Sequence, residues 1–234
     1  MDTSADTVTR TGRLDITKHA EYFEPRDVKK PCHIIGCGAI GSTVAETLAR
    51  LGIEKFVLYD FDKVEPHNIA NQMFYQRQVG MPKVHAVYQT ITEINNDAKI
   101  RVVQTGWQEH PLAGHVFLAA DNADVLKRLV EMNKDNPQIL SMWDFRMRLG
   151  DAQHYGADWT NQKQKEAFIA SLQFTNEEAR AASPVSACGT TLSVITTVRG
   201  IVSAGIANFI GYIRGEPVKK MILIDHIAFT LDAY

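Results

Sequence analysis

Short apolar runs alternate with amphipathic stretches along the first two thirds of the chain. Residues 32–36 (CHIIG) form an unbroken apolar run closed by glycine, the pattern of a strand buried on both faces. Residues 39–51 follow with Ile40, Val44, Leu48 and Leu51 at helical spacing. Lys55–Tyr59 (KFVLY) predicts a second strand, 81–94 a helix, Lys99–Val103 a third strand and 116–120 a fourth. A helix is predicted at 123–132 and a fifth strand at 139–142. Such alternation predicts parallel strands joined by crossovers, hence an α/β fold with a Rossmann-like, doubly wound, mainly parallel sheet. Beyond Asp144 the pattern changes to polar stretches rich in Gln and Asn, which run to about Ala182. A long apolar helix and a β-hairpin at 221–231 are then predicted to close one side of the sheet.

The apolar segment 190–213 is long enough for a bilayer, which takes about 20 residues. Arg199 in its middle, with frequent Ser, Thr, Gly and Asn, argues instead for a buried or interfacial helix and against a membrane partner. Gly200, Ala204, Gly205 and Ala207 would let another helix or subunit approach closely. Residues 1–30 lack periodicity and read as an N-terminal arm. They have no apolar core like that of a secretory signal, so a cytoplasmic location is expected.

Composition narrows the classes. With 45% hydrophobic residues the chain is no disordered segment, and 25 Lys+Arg against 27 Asp+Glu give no basic surplus for nucleic acid. The three cysteines, Cys32, Cys37 and Cys188, are too few for a disulfide scaffold. No histidine spacing suggests a metal site.

Gly36-Cys37-Gly38-Ala39-Ile40-Gly41 is a GxGxxG run between a predicted strand and helix. The first glycine permits a tight turn, the second admits a phosphate, and the third packs helix on strand. The helix start offers free N–H groups and a partial positive charge to an anion. Asp60 falls at the end of the second strand, where a ribose-binding acid belongs. The run by itself does not choose between NAD, FAD and ATP. The loop that follows carries Asp62, Asn68, Asn71 and Gln72, and Lys83 opens the next helix. A lysine there opposes the helix dipole. It reads either as a phosphate ligand or as a solvated surface charge.

The succession GCGAIG, DFDKVEPHNIANQ, VGMPK and Ala120-Asp121-Asn122 resembles the family of ubiquitin-activating, ThiF, MoeB and HesA-like adenylyltransferases. The likeness is close over 31–150 and looser beyond. Arg146-Met147 and the Cys188 segment look like those of shorter bacterial and phage members. The resemblance implies one adenylation domain over 31–234, with a nucleotide-binding core at 31–150. Residues 151–234 would then hold a crossover segment, the long helix and the hairpin. It implies ATP-dependent activation of the C-terminal carboxylate of a ubiquitin-like protein or peptide tail, in a homodimer. Asp60 would hold the ribose, and the glycine turn would face the phosphates. Asn68, Gln72 and Lys83 would contact phosphate oxygens, and Asp121 would hold Mg²⁺. Asp62 and Asn71 complete the nucleotide set.

Three departures stand out. Asn71 occupies the position where the family's N-[LI]-x-R-Q pattern has arginine. The Cys-x-x-Cys pairs of many relatives are missing, so their structural zinc site cannot form. Relatives often reach across the dimer with an N-terminal arginine, for which Arg10, Arg13 and Arg26 are candidates. Cys188, at the predicted start of the long helix, reads either as a thioester nucleophile or as a small packing residue. Cys32 and Cys37 read as packing residues. Arg146 and Arg148 would either guide an acidic tail or make ion pairs. A nucleotide-binding scaffold without catalysis and a NAD(P)-dependent oxidoreductase are the alternatives.

Overall fold

The computed structural model describes residues 13–186 and 192–234. Strands β1 (Cys32–Ile35), β2 (Lys55–Tyr59) and β3 (Lys99–Val103) alternate with helices α1 (Ala39–Arg50) and α2 (Lys83–Ile94). β4 (Gly114–Leu118), α3 (Ala123–Asn133) and β5 (Ile139–Met147) continue the alternation. β6 (Asp151–Asp158), α4 (Gln162–Ser171), α5 (Asn176–Ala181), α6 (Ile195–Ile213), β7 (Met221–Asp225) and β8 (Thr230–Ala233) follow. All strands join one sheet in the order β3-β2-β1-β4-β5-β6-β7-β8. The first five pair in parallel, as the alternation predicts. β6, β7 and β8 are added antiparallel.

Alternate side chains of the central strands feed two cores. Cys32, Ile34, Phe56, Leu58, Phe117 and Trp143 lie on the face covered by α1, α2 and α6. Ile35, Val57, Tyr59, Val116, Leu118 and Met142 lie on the opposite face with Leu126, Leu129 and Val130 of α3 and Phe168 of α4. Burial on both faces is why these strands read as unbroken apolar runs.

Two expectations change. The polar stretch after Asp144 contains β6, which pairs with β5 from Ser141↔Asp158 to Met147↔Ala152. Its buried positions include His154 and Gly156, so it lacks an aliphatic signature. His154 is satisfied by a hydrogen bond between Nδ1 and the Asp144 carbonyl oxygen (3.0 Å). Two of the four small residues singled out on α6, Gly200 and Gly205, are used within the chain, whereas Ala207 is exposed. A Cβ on Gly205 would overlap the Phe145 ring, and one on Gly200 would lie 2.6 Å from His226 Nε2. Helix α6 covers one face of the sheet, whereas β7 and β8 extend the sheet at its edge. Among the described residues no helix is long and apolar enough to cross a membrane.

A cavity of about 410 Å³ lies between residues 13–29 and the end of the sheet where β2 begins, lined by Arg13, Asp15, Lys29, Glu54 and Lys55 among others. Arg13 pairs there with Glu54 (3.3 Å) and Asp97 (3.7 Å), and Arg26 lies near Glu24 (3.9 Å). This is the opposite end of the strands from the glycine turn. Arg10 lies outside the described residues.

Candidate nucleotide site

The order β3-β2-β1-β4-β5 places a topological switch point between β1 and β4, where ligands of open α/β sheets bind at the carboxyl ends of the strands. The glycine turn lies there. Gly36 takes φ +93°, a conformation L side chains rarely adopt, and a Cβ on it would sit 2.7 Å from the Ala119 carbonyl oxygen. A Cβ on Gly41 would overlap the carbonyl oxygen of Gly36. Gly38 differs, with nothing within 4 Å of where its Cβ would be. Two glycines are therefore required by the protein's own backbone, and the third faces open space. Gly38 is also the N-cap of α1, which has no side-chain cap and no acidic residue in its first turn. The positive end of the helix, opened by Ala39 and Ile40, is left for an anion.

Asp60 anchors this turn. Its Oδ2 accepts a hydrogen bond from the Cys37 N–H (2.6 Å) and its Oδ1 accepts one from the Asp62 N–H (2.7 Å). Burial raises its pKa, opposed by those two N–H groups and by Lys83. Each oxygen keeps a lone pair for a further donor.

Loop 62–64 is pinned to 80–83. The Val64 N–H donates to Met81 O (2.8 Å), the Gly80 N–H to Val64 O (2.8 Å) and the Lys83 N–H to Asp62 O (2.9 Å). Lys83 is no solvated surface charge. Its side chain is 10% exposed, and its Nζ lies 2.9 Å from Asp62 Oδ2. The Asn68 oxygen is engaged internally, accepting the Glu65 N–H (2.9 Å) to close the short 3-10 helix Pro66–Ala70. Asn71 and Gln72 differ, because Asn71 Oδ1 and Gln72 Oε1 are buried without a hydrogen-bond partner. Such orphans are rare in folded proteins and call for a missing partner. Turned about its terminal bond, either amide presents an NH₂ donor instead. The Met73 N–H donates to Ser42 Oγ (3.1 Å), which ties this loop to the start of α1.

Asp121 follows β4, is exposed, and makes no hydrogen bond or ion pair among the described residues. Its neighbour Asn122 caps α3, accepting from the Asp124 N–H (3.0 Å) and the Val125 N–H (3.2 Å). Asn176, which the sequence pattern does not single out, accepts the Ala123 N–H (2.7 Å). The start of α3 is thus filled from within, whereas that of α1 is open. No group of three or more His, Cys, Asp or Glu side chains among the described residues could hold a metal ion. A single free carboxylate beside this open helix start would fit Mg²⁺, which binds through one or two carboxylates plus phosphates and waters.

A cleft of about 260 Å³ lies between the loop after β3 and α3, lined by Trp107, Gln108, Glu109, Val125 and Arg128. Arg128 and Glu109 form an ion pair across it. Sequence reasoning missed this cleft, since its walls come from separate elements.

Arg146 makes an ion pair. Its Nε donates to Asp144 Oδ2 (2.6 Å), and its guanidinium also bonds Ser171 O (2.8 Å) and Ser171 Oγ (3.0 Å). Tyr155 and Phe174 lie within 4.2 and 4.6 Å of it. Arg148 pairs with Asp151 (2.5 Å). Cys32 and Cys37 are buried, and burial pushes both thiols up. Cys188 lies outside the described residues.

A glycine turn at the switch point of a mainly parallel sheet defines the Rossmann-like class. Residues 28–132 match the model of the ThiF family. It is 45% identical over 83 residues to ubiquitin-like modifier-activating enzyme 5 of Caenorhabditis briggsae, covering 35% of this chain and 18% of that protein. The Drosophila persimilis enzyme of that name is 40% identical over 88 residues, covering 38% and 22%. The matched region thus spans about a fifth of these relatives' length. In fold, the chain is similar to PaaA (TM-score 0.71, 14% identity, covering 100% of this chain and 77% of that one). It is also similar to Escherichia coli MccB crystallised with ATP (TM-score 0.69, 17% identity, covering 90% and 65%).

Proposed function

We propose that this chain is an ATP-dependent adenylyltransferase that activates the C-terminal carboxylate of a ubiquitin-like protein or peptide tail. One observation carries the reading. An uncapped helix start with an open glycine adjoins two buried amide oxygens that have no partner. The helix start suits an anionic ligand, and the two amides suit one once turned so that each presents its NH₂ as a donor. The chain's likeness to ubiquitin-like modifier-activating enzymes supports the class of reaction.

In the reaction a carboxylate oxygen attacks the α-phosphorus of ATP. The bond to the bridging oxygen breaks, pyrophosphate leaves, and an acyl-adenylate remains. Such a displacement needs positioning and charge stabilisation more than covalent help. The N–H groups at the start of α1 and the amides of Asn71 and Gln72 would orient phosphate oxygens. Asp60, already fixing the turn, would accept from the ribose, and the Trp107–Val125 cleft would take the base. Lys83 would exchange part of its contact with Asp62 for a phosphate oxygen. Mg²⁺, held by Asp121, would neutralise phosphate charge when bound.

A thermal-shift panel with ATP–Mg²⁺, AMP, NAD and NADP is the first test. Ligand at about 100 times its dissociation constant adds roughly 2.7 kcal/mol. Selective stabilisation by ATP–Mg²⁺ is expected, and selective stabilisation by NAD or NADP would overturn the reading. Acceptor-dependent exchange of pyrophosphate into ATP then tests the chemistry. The Lys83–Asp62 pair and Asn71 favour a second reading, nucleotide binding without catalysis. Binding of ATP without exchange would establish it.

A further inference from the structure

The candidate site is short of cationic charge for a polyphosphate. Lys83 shares its charge with Asp62, position 71 is an asparagine, and the start of α1 offers only a partial charge. Asp60, Asp62 and Asp121 add negative charge to the same edge of the sheet.

Helix α6 brings a cation to this edge. Its first turn is fixed where β5 ends, because Thr197 Oγ1 donates to the Leu149 carbonyl oxygen (2.7 Å). Arg199 follows, exposed, with no carboxylate partner among the described residues. Its guanidinium reaches across to Met73, with 3.4 Å between Nη2 and Sδ. A thioether is a weak acceptor, so this contact places the guanidinium while leaving its donors largely unspent. Met73 directly follows the orphaned amides of Asn71 and Gln72, and its N–H is bonded to Ser42 of α1. A fork-shaped cation with no carboxylate partner among the described residues therefore stands beside the loop that carries Asn71 and Gln72. Arginine at such a place matches phosphate oxygens two at a time.

We propose that Arg199 is a phosphate-binding residue of this site, supplying from α6 the cation that position 71 lacks. The inference rests on the nucleotide reading above. It also names the part of the ligand involved, the polyphosphate and not the nucleoside.

The test is calorimetric titration of the whole chain and of Arg199→Met and Arg199→Lys with ATP–Mg²⁺ and with adenosine. Loss of a charged hydrogen bond predicts that Arg199→Met weakens ATP binding roughly 10- to 100-fold and leaves adenosine binding unchanged. Arg199→Lys should recover part of the loss, because charge is kept but the fork is not. Arg199 is exposed, so both variants should melt with the parent. ATP binding undiminished in Arg199→Met, or adenosine lost in step with ATP, overturns the proposal. A parent chain that binds neither ligand refutes the nucleotide reading itself, and that is seen before any variant is made.

Discussion

Gly38 and Gly41 are three residues apart and serve opposite masters, so replacing each by alanine should separate ligand binding from folding. At Gly38 a methyl group meets nothing within 4 Å, and the backbone there has φ −76°. Alanine is a poorer N-cap than glycine, which costs about 0.5–1 kcal/mol. For a chain of 234 residues that lowers the melting temperature by roughly 2–4 °C or less. The same methyl stands where a phosphate would approach the turn, so ATP affinity should fall at least about tenfold, or about 1.4 kcal/mol. At Gly41 the methyl would overlap the Gly36 carbonyl oxygen, and helix and strand must part to admit it. Overpacking of that kind costs about 1–3 kcal/mol or more. Because the Gly36 oxygen belongs to backbone held by two strands, the upper end applies, a fall of roughly 6–12 °C. Differential scanning fluorimetry gives the melting temperatures, and ATP titration of Gly38→Ala gives the affinity. If Gly38→Ala binds ATP as tightly as the parent while Gly41→Ala melts normally, the assignment of roles is wrong at both positions.

Three further outcomes are expected. Asp121→Ala should abolish pyrophosphate exchange without shifting the melting temperature, since Asp121 holds nothing in the described structure; wild-type exchange in that variant would remove it from the site. Cys188→Ala should leave exchange intact, and a thiol-reducible acyl adduct that persists in that variant would show that Cys188 is not the nucleophile. Stability should fall with acid. Burial holds His33 and His115 down to about 4 and His154 to about 3, against about 6.5 in an unfolded chain. The unfolded state therefore binds protons first as pH drops below 6.5. Stability from these histidines is full above that pH and is lost towards pH 4, by roughly 2 kcal/mol each at pH 5. Buried Asp60 and Asp144, whose pKa values are raised, offset part of this loss. Denaturant midpoints equal at pH 7.5 and 5 would contradict the burial of the three rings.

What could be read along the chain was what the chain encodes locally. Strands β1, β2, β4 and β5 are largely buried on both faces, so each writes a mostly apolar run into the sequence, edge strand β3 alternates, and the glycine turn is a single stretch of six residues. β6 escaped because His154, one of its most buried side chains, is polar and is satisfied by the Asp144 carbonyl oxygen, a partner ten residues away. The surroundings of the site escaped for the same reason at greater distance. Asn176 caps α3 across 53 residues, and Arg199 meets Met73 across 126. Residue types do carry a trace of such contacts. An arginine in the middle of an apolar helix speaks against a membrane span, but the same oddity has a second meaning that only the fold supplies. A charge kept on a helix that otherwise packs against the sheet must have somewhere to point. The bond between Thr197 and Leu149 decides where, by starting α6 at the edge of the sheet that holds the glycine turn. Spacing along the chain can identify a phosphate loop, but it cannot say which distant element completes it. Here that element is the helix whose composition most resembled a hydrophobic span.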